Sequence, residues 1–309
     1  MKRWVRRVFL AIVLLVVIAA AGLVWKARAE AHRLLTNPIA TRELPHERPI
    51  DYGMVYDDVS VKTADGLKLV GWYVPTKNGA LVLAQHGYKS QRGEMLDEAA
   101  MLNRHGYGVL ITSVRAHDLS DGTLITFGVK EMADLDAWYR FALTEPGVDP
   151  NRIGILGNSM GGSLAIQYAA QNPKIAAVVA NAAFSSLSDT VATSVKYFTG
   201  LPAFPFAPLI TFWAEREGGF RASDIDATKW IGRISPRPVF LMQGGKDVVI
   251  SKDSGRKLYA AAGEPKELWE DPGVGHAAFD TARPAEYERR VVGFFDRYLG
   301  PTAVAGITH

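Results

Sequence analysis

Residues 152–162 (RIGILGNSMGG) contain the pattern Gly157-Asn158-Ser159-Met160-Gly161, a serine with glycine two positions away on either side. An apolar run, IGIL, leads into it, and a helical pattern, SLAIQYAAQ, leads out. A serine on so sharp a strand-to-helix turn sits in a strained backbone, and the glycines relieve crowding. The turn lifts the hydroxyl above a sheet, where a base can reach it. The helix N-terminus behind it favours developing negative charge. Such a residue suits nucleophilic attack on an acyl carbonyl. The plainer alternative is a glycine-rich helix start with Ser159 as its N-cap.

A serine nucleophile needs a base, and on such a turn the acid and then the histidine follow it in the chain. Of seven histidines, only His276 and His309 come after Ser159. His309 ends a Gly- and Ala-containing tail, whereas His276 lies in the loop DPGVGHAA, after one apolar run and before a final helical pattern. The run VFLMQ leads into Gly244-Gly245-Lys246-Asp247, which puts Asp247 at the C-terminal end of a strand. Open α/β sheets carry their functional groups there. Asp247 would hold the imidazole tautomer and stabilise the imidazolium. Asp224, Asp226 and Asp253 are the substitutes. Two N–H donors must also face the oxyanion. Met160, following the nucleophile, supplies one, and Tyr88, after the turn His86-Gly87, supplies the other. His86 precedes the serine and reads as structural.

The elements that would position these residues are legible as patterns. Residues 55–62 and 67–74 alternate around Ala64-Asp65-Gly66 and predict a β-hairpin. Residues 80–84, 108–112, 153–156, 176–180, 239–242 and 266–270 predict six further strands, most of them apolar without alternation, as in a parallel sheet covered on both faces. Helical patterns at 94–105, 130–143, 163–171, 252–262 and 284–298 fall between or after them, predicting a doubly wound α/β sheet. Residues 186–237 break this rhythm. They are rich in aromatic residues and too long for an ordinary connection, so they read as a helical lid insertion or a plain pair of packing helices.

The segments LAQHGY, GNSMGG, GGKD and GVGH, in this order, resemble the α/β-hydrolase superfamily of serine hydrolases. The lead-in DDVSVKTADGLKLVGWYVP, with an apolar N-terminal segment, is similar to the BEM46-like branch, itself related in pattern to prolyl-oligopeptidase-like hydrolases. The resemblance covers about residues 50–300. It implies an α/β-hydrolase fold with a mostly parallel eight-stranded sheet, a Ser159-Asp247-His276 triad, and an oxyanion hole at Tyr88 and Met160. It also implies hydrolysis of acyl esters or thioesters, as in a carboxylesterase, with a peptidase or amidase, an acyltransferase and a non-catalytic binding protein as the alternatives. One segment departs from the pattern: where many relatives carry D-x-R-G-x-G-x-S-x-G, this chain has Ser113–Gly122 reading SVRAHDLSDG, with Ala116 and Asp118 in place of two glycines.

The 309 residues are 48% hydrophobic and 22% charged, a globular balance, and contain no cysteine. This excludes a disulfide framework and thiolate chemistry. No metalloprotease, P-loop or dinucleotide motif is present, and no cofactor is expected. His117, Asp118 and Asp121 read as a solvated turn rather than a metal site, and Asp57, Asp58, Asp134 and Asp136 as strand edge and helix surface. The net charge of +3 is uneven. Residues 1–33 hold seven basic residues against Glu30, which leaves the rest at −3 and without a nucleic-acid footprint.

Residues 8–25 (VFLAIVLLVVIAAAGLVW) form 18 uncharged positions between Trp4 and Trp25. At about 1.5 Å per residue, a helix of that length nearly crosses a bilayer core. The expected organisation is a transmembrane signal-anchor at 1–30, a tether at 31–53, the hydrolase domain at 54–300 and a flexible tail at 301–309. The N-terminus would be cytoplasmic and the catalytic domain on the outer side, where it would take a small-molecule or lipid-like acyl substrate. The alternative is secretion after signal-peptide cleavage near Ala19-Ala20-Ala21. Oligomeric state is not legible.

Overall fold

The structure, a computed structural model, describes residues 3–300. His309 and the tail at 301–309 lie outside the described residues. In chain order the elements are helix α1 (Arg3–Leu35), strands β1 (Asp57–Lys62), β2 (Lys68–Val74) and β3 (Leu81–Gln85), helix α2 (Leu96–Arg104) and strand β4 (Gly108–Thr112). Then follow α3 (Glu131–Ala142), β5 (Ile153–Asn158), α4 (Met160–Gln171) and β6 (Ala177–Asn181). The insertion holds α5 (Leu187–Thr199), α6 (Ala203–Gly218) and α7 (Ala227–Ile231). β7 (Val239–Gly244), α8 (Ser254–Ala261), β8 (Lys266–Asp271), α9 (Phe279–Ala282) and α10 (Pro284–Leu299) complete the chain.

The strands form one eight-stranded sheet in the order β1-β2-β4-β3-β5-β6-β7-β8. β1 and β2 form the expected antiparallel hairpin, and β2 joins β4 antiparallel. From β4 to β8 every neighbouring pair is parallel. This is the α/β-hydrolase fold. The apolar runs lack alternation because both faces are covered. Leu83, Leu110, Ile155, Val178 and Leu241 pack into one core, while Val82, Val109, Leu156, Val179 and Phe240 pack into the other. Each such side chain contributes roughly 1.5–3 kcal/mol through burial.

Two expectations are corrected here. The segment read as a tether is built into the body. Residues 31–35 are the last turn of α1, and Ala31 and Leu35 are buried. Beyond them, the Asn37 side chain donates to the Ala116 carbonyl at 2.8 Å, and the Arg42 guanidinium donates to the carbonyls of Asn37, Asp118, Ser120 and Gly122. A guanidinium with five donors can satisfy several buried carbonyls at once, and residue composition alone does not reveal that clamp. Likewise, His117, Asp118 and Asp134 are buried rather than solvated. Asp134 is paired with Arg115 at 2.6 Å, and Asp118 lies 3.0 Å from Arg92. Ala116 and Asp118 both adopt positive φ, 60° and 49°.

Candidate active site

The end of β5 turns into α4 through Ser159, whose backbone has φ 54° and ψ −117°. That conformation is unfavourable for a residue with a Cβ and persists only where the surroundings enforce it. The flanking glycines explain how. A Cβ on Gly157 would lie 2.3 Å from Gly161 backbone atoms, and one on Gly161 would lie 2.2 Å from the Gln85 carbonyl oxygen. The elbow is therefore packed backbone to backbone against β3, and glycine is required on both sides.

His276, in the loop after β8, reaches back over the sheet. Its Nε2 lies 2.7 Å from Ser159 Oγ, and its Nδ1 lies 2.7 Å from Asp247 Oδ2. Asp247 follows β7 and is buried, and its other carboxylate oxygen accepts the N–H groups of Val249 at 2.8 Å and Ile250 at 3.0 Å. A carboxylate bonded in this way is held in one orientation. It fixes the imidazole proton on Nδ1 and leaves Nε2 free to accept from the serine. The acid and histidine loops are stitched together as well: Lys246 N–H donates to the Val274 carbonyl, and Gly245 N–H to that of Asp271. Asp253 sits at the start of α8, and Asp224 and Asp226 lie in the insertion, so none of the substitutes for Asp247 joins this arrangement.

Met160 is the first residue of α4, and Tyr88 follows the turn after β3. Neither backbone N–H has an acceptor among the described residues. Tyr88 follows Gly87, where a Cβ would lie 3.4 Å from that of Ser159, and Met160 follows Ser159 itself, and an oxyanion requires two such donors. His86 is fully buried, with Nδ1 at 2.8 Å from the Gly87 carbonyl and its ring 4.8 Å from that of His117. Burial pushes its pKa down to about 4, so it stays neutral and structural. Both ring nitrogens of His117 are engaged, Nδ1 by the Arg115 carbonyl and Nε2 by Lys89 N–H.

Above Ser159 lies a cavity of about 80 Å³ walled almost entirely by apolar groups, among them Phe127, Phe184, Phe198, Ile210 and Val249. α5 and α6 cover it, so the inserted segment caps the site. The Ser194 hydroxyl on α5 ties this cap to the acid loop through the Val249 carbonyl at 2.6 Å.

The sequence pattern of the prolyl oligopeptidase family matches residues 97–302, well over half of the chain. The chain belongs to the prolyl oligopeptidase family. This family member is similar to Uncharacterized protein Rv2307c of Mycobacterium tuberculosis, with 30% identity over 303 residues that cover 96% of this chain and 97% of that one. It is also similar to the alpha/beta hydrolase domain-containing protein WAV2 of Arabidopsis thaliana, with 24% identity across 69% of each chain. Among solved structures, the esterase PF2001 of Pyrococcus furiosus matches with a TM-score of 0.73 and 28% identity, covering 86% of this chain and 99% of that one. This member of the prolyl oligopeptidase family is an α/β hydrolase.

Sequence reasoning missed three features of the prolyl oligopeptidase family site described here. Leu34 and Leu35, at the end of the apolar N-terminal helix, line the cavity. Asn181 on β6 donates to both Asn158 Oδ1 and the Ala277 carbonyl at 3.1 Å, joining the elbow to the histidine loop. Glu98 on α2 accepts from the Asn158 amide at 2.9 Å and lies fully buried, and burial pushes its pKa up to about 8. The polar Asn at the end of an apolar β6 run was the one available signal for that network.

Proposed function

We propose that this protein is a serine hydrolase that cleaves acyl esters or thioesters through Ser159, His276 and Asp247. The relay of two 2.7 Å contacts from Asp247 through His276 to Ser159 carries this reading. His276 Nε2 takes the proton as Ser159 Oγ attacks the carbonyl carbon. The N–H groups of Tyr88 and Met160 stabilise the oxyanion, and protonated His276 returns the proton to the leaving group. Water activated by the same imidazole then attacks the acyl-enzyme and releases the acid. Asp247 stabilises the imidazolium. The apolar cavity supports a hydrocarbon acyl group over a charged or peptidic one, and its walls favour an ester over the peptide substrates the family name suggests. No step in this scheme uses a cofactor.

We also propose that residues 8–25 cross a membrane, with the N-terminus cytoplasmic and the body on the outer side; secretion after cleavage is the alternative. The span is a single helix whose apolar part is exposed along its length. The deciding experiment is labelling by a fluorophosphonate probe, which reacts only with an activated serine. Wild-type protein should label and turn over p-nitrophenyl acyl esters, and Ser159→Ala should do neither. A folded wild-type protein that fails to label would sink the serine-hydrolase reading.

A further inference from the structure

We infer that the tip of the α5–α6 cap inserts into the membrane surface, and that the site is loaded from the bilayer with a membrane-resident lipid ester. This deepens the serine-hydrolase reading and rests on it. The argument starts from the register of α1 against α6. The Arg28 guanidinium lies 5.2 Å over the Trp213 ring, and His32 Nδ1 meets the Glu217 carboxylate. Both pairs are separated by 185 residues. A constant separation over a helical turn means that the two helices run parallel. Ala27 and Ala31 lie buried in one cluster with Ala207 and Ile210, so the backbones approach closely along this seam.

Carried back along the seam, that register brings the first helical residues of α6, Pro205 and Phe206, level with residues 20 and 21 of α1, and Phe204, extended at φ −101° and ψ 132°, leads into them. Those positions lie within the apolar span, four and five residues before Trp25. At about 1.5 Å per residue this is roughly 6–8 Å inside the boundary that Trp25 marks, the depth at which interfacial helices bury their apolar face. The side chains found there suit that depth. Phe204 is 82% exposed and Tyr197, near the end of α5, is 56% exposed, the two most exposed aromatic side chains of the cap. Exposed aromatic residues grouped beside a membrane helix mark an interface.

The same elements wall the cavity. Leu34 and Leu35 from α1, Phe198 from α5, and Ile210 and Ala214 from α6 line the space above Ser159. The helix that enters the bilayer and the cap that leans on it therefore enclose the acyl site. A hydrocarbon chain passing between them would not have to cross water. A lipid acyl ester is the substrate class that meets both conditions: it resides at that depth and carries a chain for the pocket.

The test uses the full chain in phosphatidylcholine vesicles. With no native cysteine, Phe204→Cys and Leu143→Cys each provide a single labelling site. A nitroxide at position 204 should be relaxed by oxygen and shielded from a water-soluble nickel chelate, and one at 143, on the exposed end of the α3 region, should show the reverse. Phe204→Glu should reduce hydrolysis of monooleoylglycerol held in the vesicles by about ten-fold, while turnover of soluble p-nitrophenyl butyrate stays unchanged. Chelate access at 204 equal to that at 143, equal effects on the two esters, or butyrate turnover without monooleoylglycerol turnover would each overturn the inference. Loss of fluorophosphonate labelling in the wild type would instead indict the serine-hydrolase reading, so the two failures are distinguishable.

Discussion

The Tyr88 hydroxyl donates to the Leu34 backbone carbonyl at 2.6 Å, joining the loop that presents a candidate oxyanion donor to the last turn of the N-terminal helix. Lys89 Nζ makes a second such link, to the Arg33 carbonyl at 2.7 Å. The apolar N-terminal helix is thus fastened to the site itself, and Tyr88 also stacks on Phe127 within the cavity wall.

Tyr88→Phe removes this hydroxyl and leaves the backbone N–H in place. The expected result is a loss of about 1 kcal/mol in stability, the usual worth of a buried hydrogen bond, with kcat for a short ester nearly unchanged. Thermal unfolding and steady-state kinetics on the same preparation check both halves. A large fall in kcat would assign the phenol a direct part in the chemistry.

Asp247→Asn keeps the shape of the acid but can donate to Nδ1, which favours the tautomer that cannot take the serine proton. Ester turnover should drop by about 10⁴-fold, with KM little changed and the fold intact. Stopped-assay kinetics together with circular dichroism would measure this.

Gly161→Ala places a methyl group 2.2 Å from the Gln85 carbonyl and 2.5 Å from that of His86. Neither backbone oxygen can retreat without moving β3. Destabilisation of about 3 kcal/mol or more is expected, with loss of fluorophosphonate labelling, read by denaturant unfolding and gel fluorescence.

Glu98 gives stability a pH dependence whose sign follows from its burial. Unfolded, the carboxyl titrates near 4.5; folded, burial pushes it up to about 8. Between those values the folded chain retains a proton that the unfolded chain has lost, so stability falls as pH rises through the window. Glu98→Gln cannot ionise and should remove that component. The wild-type melting temperature should fall more steeply than the variant's from pH 5 to 8.5. Parallel curves would mean that Glu98 is already ionised when folded.

Local chemistry made the nucleophile, its acid and its histidine legible as candidates. A Gly-x-Ser-x-Gly turn between an apolar run and a helical pattern has few conformations open to it, and strand ends and loop histidines follow from periodicity. The alternating hairpin and the doubly covered runs likewise made the sheet legible, because burial on one or both faces writes itself into residue spacing. The sequence did not determine contacts between elements distant in the chain. The Asn158–Asn181–Ala277 links, the Arg42 clamp and the burial of Asp118 and Asp134 depend on partners in other elements of the fold, and a buried charge looks like a surface charge until its partner is placed. The N-terminal helix is the sharpest case. Its composition marks residues 8–25 as a candidate span, but only tertiary packing brings Ala27 and Ala31 against α6, and Leu34 and Leu35 over Ser159, because a helix is rigid enough to carry an apolar stripe from that segment into the site.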